Sequence, residues 1–184
     1  LHPVFVSKSP MKLGEKYSVR ELLYYTIANS NNDAFSVLGN YLYASSYESF
    51  WDKTYSDLGL SVPDSNDLPY PVSTKEFSIF LEVIFNAGYL NERSSELACE
   101  FLSECDFKEG IRKSLPSYVP LVHKFGESSE GNLYEIHESG IIYLNNSPYL
   151  LTVMTKGTDV MKLPNVISEI SKVVYNDMAH LSGS

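Results

Sequence analysis

Two short stretches of the 184-residue chain combine side chains able to move a proton and hold an anion. The first is Ser30-Asn31-Asn32, where a hydroxyl can relay a proton and a carboxamide both donates and accepts. The second is His123-Lys124-Phe125-Gly126-Glu127, in which the Lys124 ammonium is a point positive charge. Taken singly, each has an ordinary explanation. A serine at a helix start serves as a cap, and a lysine near a strand end is solvated.

The elements that must position these stretches follow from patterning. Ser18 and Glu21 form a capping box ahead of Leu22, Leu23 and Ile27 at helical spacing. A second helix is expected to begin at Ser30, with Asp33 three residues on, and to turn Ala34, Val37, Leu38 and Tyr41 inward. A third runs from about Ser46 through Phe50, Trp51 and Tyr55 and stops at Gly59. Ser61 to Val72 contains Pro63, Pro69 and Pro71 and is read as a loop. Ser73 and Glu76 repeat the capping box before the apolar stripe Phe77, Phe80, Leu81, Ile84 and Phe85, and another helix spans about Ser94 to Ser103.

The pattern then changes. Val119 to Lys124, Ile136 to Leu144 and Tyr149 to Thr155 are rich in β-branched and aromatic residues and are read as strands, the last two joined as a hairpin across Asn145-Asn146-Ser147-Pro148. Val166 to Met178 closes the chain as an amphipathic helix, with Ile167, Ile170, Val174 and Tyr175 on one side. The expected class is α/β (α+β): a helical lobe, an antiparallel sheet of at least three strands and a C-terminal helix. Residues 1–184 form one domain on this reading, 18–115 mainly the helical lobe and 116–184 the strands with the C-terminal helix.

Composition narrows the function. A formal charge of -9 and a pI near 4.9 argue against nucleic acid or an anionic membrane as the main partner. No apolar run reaches the length of a membrane span, and Leu1-His2-Pro3 does not open a signal peptide. Cys99 and Cys105 are read as small core-filling thiols, too far apart on a helix to bridge. His2, His123, His137 and His180 show no metal-ligand spacing and are read as surface or strand histidines, so neither a metal nor another cofactor is expected. The acidic residues around Asp64 and Asp67 read as a solvated loop.

Read together with their flanks, the two stretches resemble one family. Tyr17-Ser18-Val19-Arg20-Glu21-Leu22-Leu23 followed by Ser30-Asn31-Asn32-Asp33-Ala34 resembles the surroundings of the Ser-Asp-Asn motif of class A β-lactamases and related penicillin-recognising serine hydrolases. Leu115-Pro116, Val122-His123-Lys124-Phe125-Gly126 and Gly140-Ile141-Ile142-Tyr143 resemble the Lys-Thr-Gly strand and its successor, and Pro148-Tyr149-Leu150-Leu151 with Thr155-Lys156-Gly157 the last strand. The resemblance implies catalytic roles for Ser30, as proton relay, and for Lys124, as the positive charge facing a substrate carboxylate. It implies that Asn32 bonds the substrate's amide side chain, that Gly126 lets substrate lie along the strand edge, and that the Glu127 N–H is an oxyanion-hole donor. The substrate would be a β-lactam or a D-Ala-D-Ala-like peptide, handled by acyl transfer outside the cytoplasmic membrane.

The sequence departs from that pattern in three places. The family's nucleophile belongs to a Ser-x-x-Lys upstream of Ser30; only Ser9-Pro10-Met11-Lys12 has the spacing, Gly14 follows at once, and the match is read as coincidence. The nucleophile segment is therefore expected to be missing from this chain. The loop Ser61-Val62-Pro63-Asp64-Ser65-Asn66-Asp67 lacks the glutamate that activates the deacylating water, so an acyl-enzyme would persist. Phe125 replaces the usual Thr or Ser at a position the family uses for the substrate carboxylate, while Asn31 in place of Asp is a milder, structural change. The alternative is a catalytically inactive relative that binds cell-wall peptide or a protein partner along the Lys124 strand. A missing start would also leave the strand at Pro148 to Gly157 as an open sheet edge, to be covered by another copy or a swapped segment.

Overall fold

The computed structural model describes residues 4–5, 11–44, 50–62, 72–144 and 147–182. Ser9, the proline-rich stretch 63–71 with Asp64 and Asp67, and Asn145-Asn146 lie outside the described residues.

The helical lobe holds α1 (Val19–Ala28), α2 (Asn32–Ala44), α3 (Phe50–Asp57), α4 (Thr74–Phe85) and α5 (Glu92–Ser103). Both capping boxes form, because each needs partners only three residues apart: Ser18 with Glu21 and Ser73 with Glu76. The start of α2 differs from expectation. Asn31, not Ser30, caps it, its Oδ1 accepting the Ala34 N–H at 2.8 Å, while Ser30 takes a left-handed φ of 51°. Ala34 alone of that helix is buried; Leu38 is half-buried, and Val37 and Tyr41 are exposed. Gly59 terminates α3 region as expected, at φ 68°, a conformation open to glycine without cost.

The second half contains α6 (Ile111–Ser114), β1 (Leu121–Glu130), β2 (Leu133–Ile142), β3 (Tyr149–Gly157) and α7 (Leu163–Ser182). The sheet is antiparallel in the order β1-β2-β3. β1 runs six residues further than its apolar segment suggests, since its second half, Gly126 to Glu130, is polar and half-open yet still paired with β2. A two-residue turn, Gly131-Asn132, with Gly131 at φ 59°, closes this first hairpin. α7 starts and ends beyond its expected limits, and Ile170 faces solvent while Leu163, Ile167 and Ser171 are buried.

Alternation along the strands divides the core between two faces. Val122 and Ile141 meet Leu81 of α4 and Leu102 of α5 on the lobe side. Leu121, Phe125, Ile136, Ile142 and Val153 meet Phe107, Ile111 and the α7 residues Leu163 and Ile167 on the other. Residues 104–110, between α5 and α6, lead from the first layer to the second, with Cys105 and Phe107 fully packed. Among the described residues no strand pairs with the outer side of β3.

Candidate functional site

Ser30 sits at the α1–α2 junction and Lys124 on β1, 94 residues away, yet the Lys124 ammonium donates to Ser30 Oγ. The junction is held from several sides. The Asn31 N–H donates to Tyr25 O at 3.0 Å, and the Asp106 N–H donates to Ala28 O at 3.1 Å. The strained φ of Ser30 is thus kept in place by neighbours on both sides, at a cost of order 1–3 kcal/mol typical of such backbone. Lys124 Nζ also donates to Phe125 O at 3.1 Å and lies 5.1 Å from the centre of the Phe125 ring. Burial pushes this ammonium below the usual lysine range; Cys105 and Asp106 nearby pull it upward without cancelling that effect.

Beyond Lys124 the lobe-side face of the sheet opens into a groove of about 600 Å³, lined among others by Gly126, Ser128, Glu135, His137 and Lys156, with Val72 opposite. A Cβ at Gly126 would meet nothing within 4 Å, so the space beside the strand is open. Glu135 gathers the polar groups of the groove: it accepts from Ser128 Oγ at 2.9 Å and pairs with Lys156 at 2.8 Å. These contacts hold the Glu135 carboxyl below its ordinary range. His137 Nδ1 is buried and has no hydrogen-bond partner among the described residues.

The expected site residues therefore separate. Ser30 and Lys124 meet, and Gly126 and Glu127 line the groove next to them. Asn32 is exposed at the first residue of α2. Phe125 does not border the groove: it is 3% exposed and stacks on Phe107 at 4.3 Å, the ring forming part of the core on which the Lys124 ammonium rests. The Glu127 carboxylate turns to the α7 side, where it accepts the Val4 and Phe5 N–H groups at 2.7 and 2.9 Å. Lys12 is exposed, its N–H bonded to Tyr17 Oη at 2.8 Å, and lines a separate hollow beside α2.

One cluster escaped the reading of the sequence. His123 is a strand residue as expected but not a surface one: it is 1% exposed and its Nδ1 lies 2.6 Å from Glu138 Oε1. Cys105, also fully buried, lies near enough for the imidazole to draw its thiol below the usual range. The signal was present in β2, where Glu138 continues the period-two series Ile136, Glu138, Gly140, Ile142 and so had to face the core. Among the described residues no group of three His, Cys, Asp or Glu is placed to hold a metal ion.

The sequence model of the β-lactamase enzyme family matches residues 6–178. The chain belongs to the β-lactamase enzyme family. Solved structures share its fold at low identity. A β-lactamase from Francisella tularensis is 16% identical with a TM-score of 0.77, over 96% of this chain and 72% of that one. PBP-A is also 16% identical, with a TM-score of 0.75 over 95% of this chain and 68% of its own. A β-lactamase from Chitinophaga pinensis DSM 2588 is 21% identical, with a TM-score of 0.73 over 86% of this chain and 64% of that one. The chain thus spans about two thirds of the length of these relatives. A variant of PBP-A has been solved as an acyl-enzyme complex with penicillin G. Comparison with curated protein sequences found no match. No helix among the described residues is long and apolar enough to cross a membrane.

Proposed function

We propose that this chain supplies the substrate-binding wall of an acyl-transfer site for β-lactams or D-Ala-D-Ala-like peptides. The observation that carries the reading is the Lys124–Ser30 contact, with an open groove that begins two residues further along the strand, at Gly126. A desolvated ammonium there would hold a substrate carboxylate, and the Ser30 hydroxyl, sharing its proton, would pass one toward a leaving group. Asn32 would bond the substrate's amide side chain, and the empty space beside Gly126 would admit substrate as an added strand, with the Glu127 N–H turned to the developing oxyanion. The nucleophile would come from residues other than those described, and the site would work outside the cytoplasmic membrane. A second reading, a binding module without turnover, is favoured by one observation: Lys12, the lysine of the sole Ser-x-x-Lys upstream of Ser30, lines a hollow beside α2 that includes neither Ser30 nor Lys124.

Intact-mass measurement after incubation with a reporter penicillin, beside an equilibrium titration with the same compound, separates these readings. A covalent adduct absent from Ser9→Ala or Ser30→Ala locates a nucleophile within the chain. Saturable binding without an adduct, lost in Lys124→Ala, supports the binding wall. Folded protein that shows neither refutes the proposal. Gly126→Ala is the sharper variant, because the added methyl meets nothing in the protein and so reports on the ligand alone. The outer edge of β3 would be covered by a strand from another copy or a swapped segment; a monomer by light scattering at high concentration would remove that idea.

A further inference from the structure

The two halves of the Lys124–Ser30 site belong to different layers, and the corner between α5 and α6 touches both. On one side Asp106 holds the Ser30 junction: its N–H donates to Ala28 O at 3.1 Å and its Oδ2 accepts from Asn29 Nδ2 at 3.2 Å. On the other side the adjacent residue, Cys105, is buried close enough to the imidazole of His123, the residue before Lys124, for that ring to draw its thiol down. His123 Nδ1 meets Glu138 Oε1 at 2.6 Å, and Glu138 Oε2 accepts the Ile111 N–H at 2.8 Å, which ties the far end of the same corner to β2. The fit is tight: a Cβ on Gly110 would fall 1.9 Å from Glu138 Oε2. Cys105, His123 and Glu138 are all at most 1% exposed, so no substrate reaches them. A buried charged chain of this kind is a costly way to stabilise a core, and apolar residues would do as well.

We propose that Cys105, His123 and Glu138 are positioning residues: with Asp106 they form a bracket that sets the Ser30 junction against the strand bearing Lys124. The inference concerns the geometry of the same site but holds whatever ligand binds there. Burial alone would push the His123 imidazole down; the nearby Cys105 thiol and the bond to Glu138 outweigh that and carry it up to about 9. Burial likewise would raise the Cys105 thiol, and the His123 ring instead draws it down. The groups that face His123 are Cys105 from the corner, Glu138 from β2, and Lys108, Arg112 and Tyr118 around the hollow it borders. Lys124 is its chain neighbour, Asp106 acts on Lys124, and α7 presents the apolar Leu163 and Ile167 to this part of the core. Loss of the imidazolium proton weakens the hold of His123 on Cys105 and Glu138 and should be felt at Ser30, on the opposite side of the corner.

The test is a proton–nitrogen NMR titration of the intact chain from about pH 6 to pH 10.5. It follows the His123 ring nitrogens and the backbone amides of Asn29, Ser30, Asp106 and Lys124, with Ile170 on the exposed side of α7 as reference. The bracket requires the Asn29, Ser30 and Asp106 amides to shift with the midpoint of the His123 ring, both in the parent and in Lys124→Ala, which removes the ammonium bonded to Ser30, and Ile170 to stay still. In Cys105→Ala the Asn29 and Ser30 amides should cease to follow the His123 ring. Amides that shift in the parent but not in Lys124→Ala overturn the proposal, because Lys124 alone then accounts for them. So do Ser30 and Asn29 amides that ignore the titration, or a simultaneous loss of all folded signals, which would assign the pair to global stability. Should Cys105→Ala fail to fold, the parent and Lys124→Ala titrations decide.

Discussion

Replacing Phe125 by alanine separates a packing role from a ligand-binding one. The ring is 3% exposed, stacks on Phe107 at 4.3 Å with planes 16° apart, and lies in the cluster that also holds Ile136, Val153 and Ile167. Truncating a buried phenylalanine costs about 3–5 kcal/mol through lost transfer energy and the cavity left behind. The Phe107 pair contributes about 0.5–1.5 kcal/mol beyond area, which places the expected loss toward the upper end of that range. A domain of this size holds roughly 5–15 kcal/mol in total, so the variant should remain folded but marginal. Its melting temperature should fall by roughly 6–20 °C, at about 2–4 °C per kcal/mol for this chain length. Urea unfolding at constant slope gives the free energy directly. The same protein, kept well below its new melting point, is then titrated with a penicillin. The ring touches the ligand site only through the Lys124 ammonium resting 5.1 Å from its centre, so affinity should change by no more than the roughly 1–2 kcal/mol of a cation–π contact. A variant with near-normal stability that has lost ligand binding would refute this account and put Phe125 in the groove.

Gly110→Ala should destabilise the fold by about 3 kcal/mol or more, the upper end of overpacking costs, because its Cβ would lie 1.9 Å from Glu138 Oε2 and 2.9 Å from Phe107; a thermal melt within 2 °C of the parent would show that the corner yields. Ser18→Ala and Ser73→Ala should each cost about 1 kcal/mol in urea unfolding, since each removes a side chain that accepts from the residue three positions on. The affinity for an anionic penicillin should decline as pH rises, with a midpoint below the ordinary lysine value of 10.5, because burial favours the neutral form of Lys124. The attraction is complete below the folded-state pKa of Lys124 and is lost as pH rises through it. Affinity that holds undiminished through pH 10.5 would mean that another group carries the charge.

What the sequence determined by itself was local. Ser18 with Glu21 and Ser73 with Glu76 cap α1 and α4 because both partners sit within one helical turn, where chain connectivity brings them together. The change from helical spacing to strand composition after residue 115 likewise sufficed for a helical lobe, an antiparallel sheet and a closing helix. Tertiary structure decided the rest. Ser30 and Asn31 are both good caps, and only the pull of Lys124 and Asp106 on the junction leaves the cap to Asn31 and the left-handed conformation to Ser30. Phe125 follows Lys124 in the chain, but a strand sends neighbours to opposite faces, so Lys124 can reach Ser30 while Phe125 packs in the core. His123, Glu138 and Cys105 are spread over 34 residues, and no local pattern links them. They come together because the corner after α5 passes between the layers at that point, where an imidazole and a carboxylate shut away from water satisfy each other beside a buried thiol.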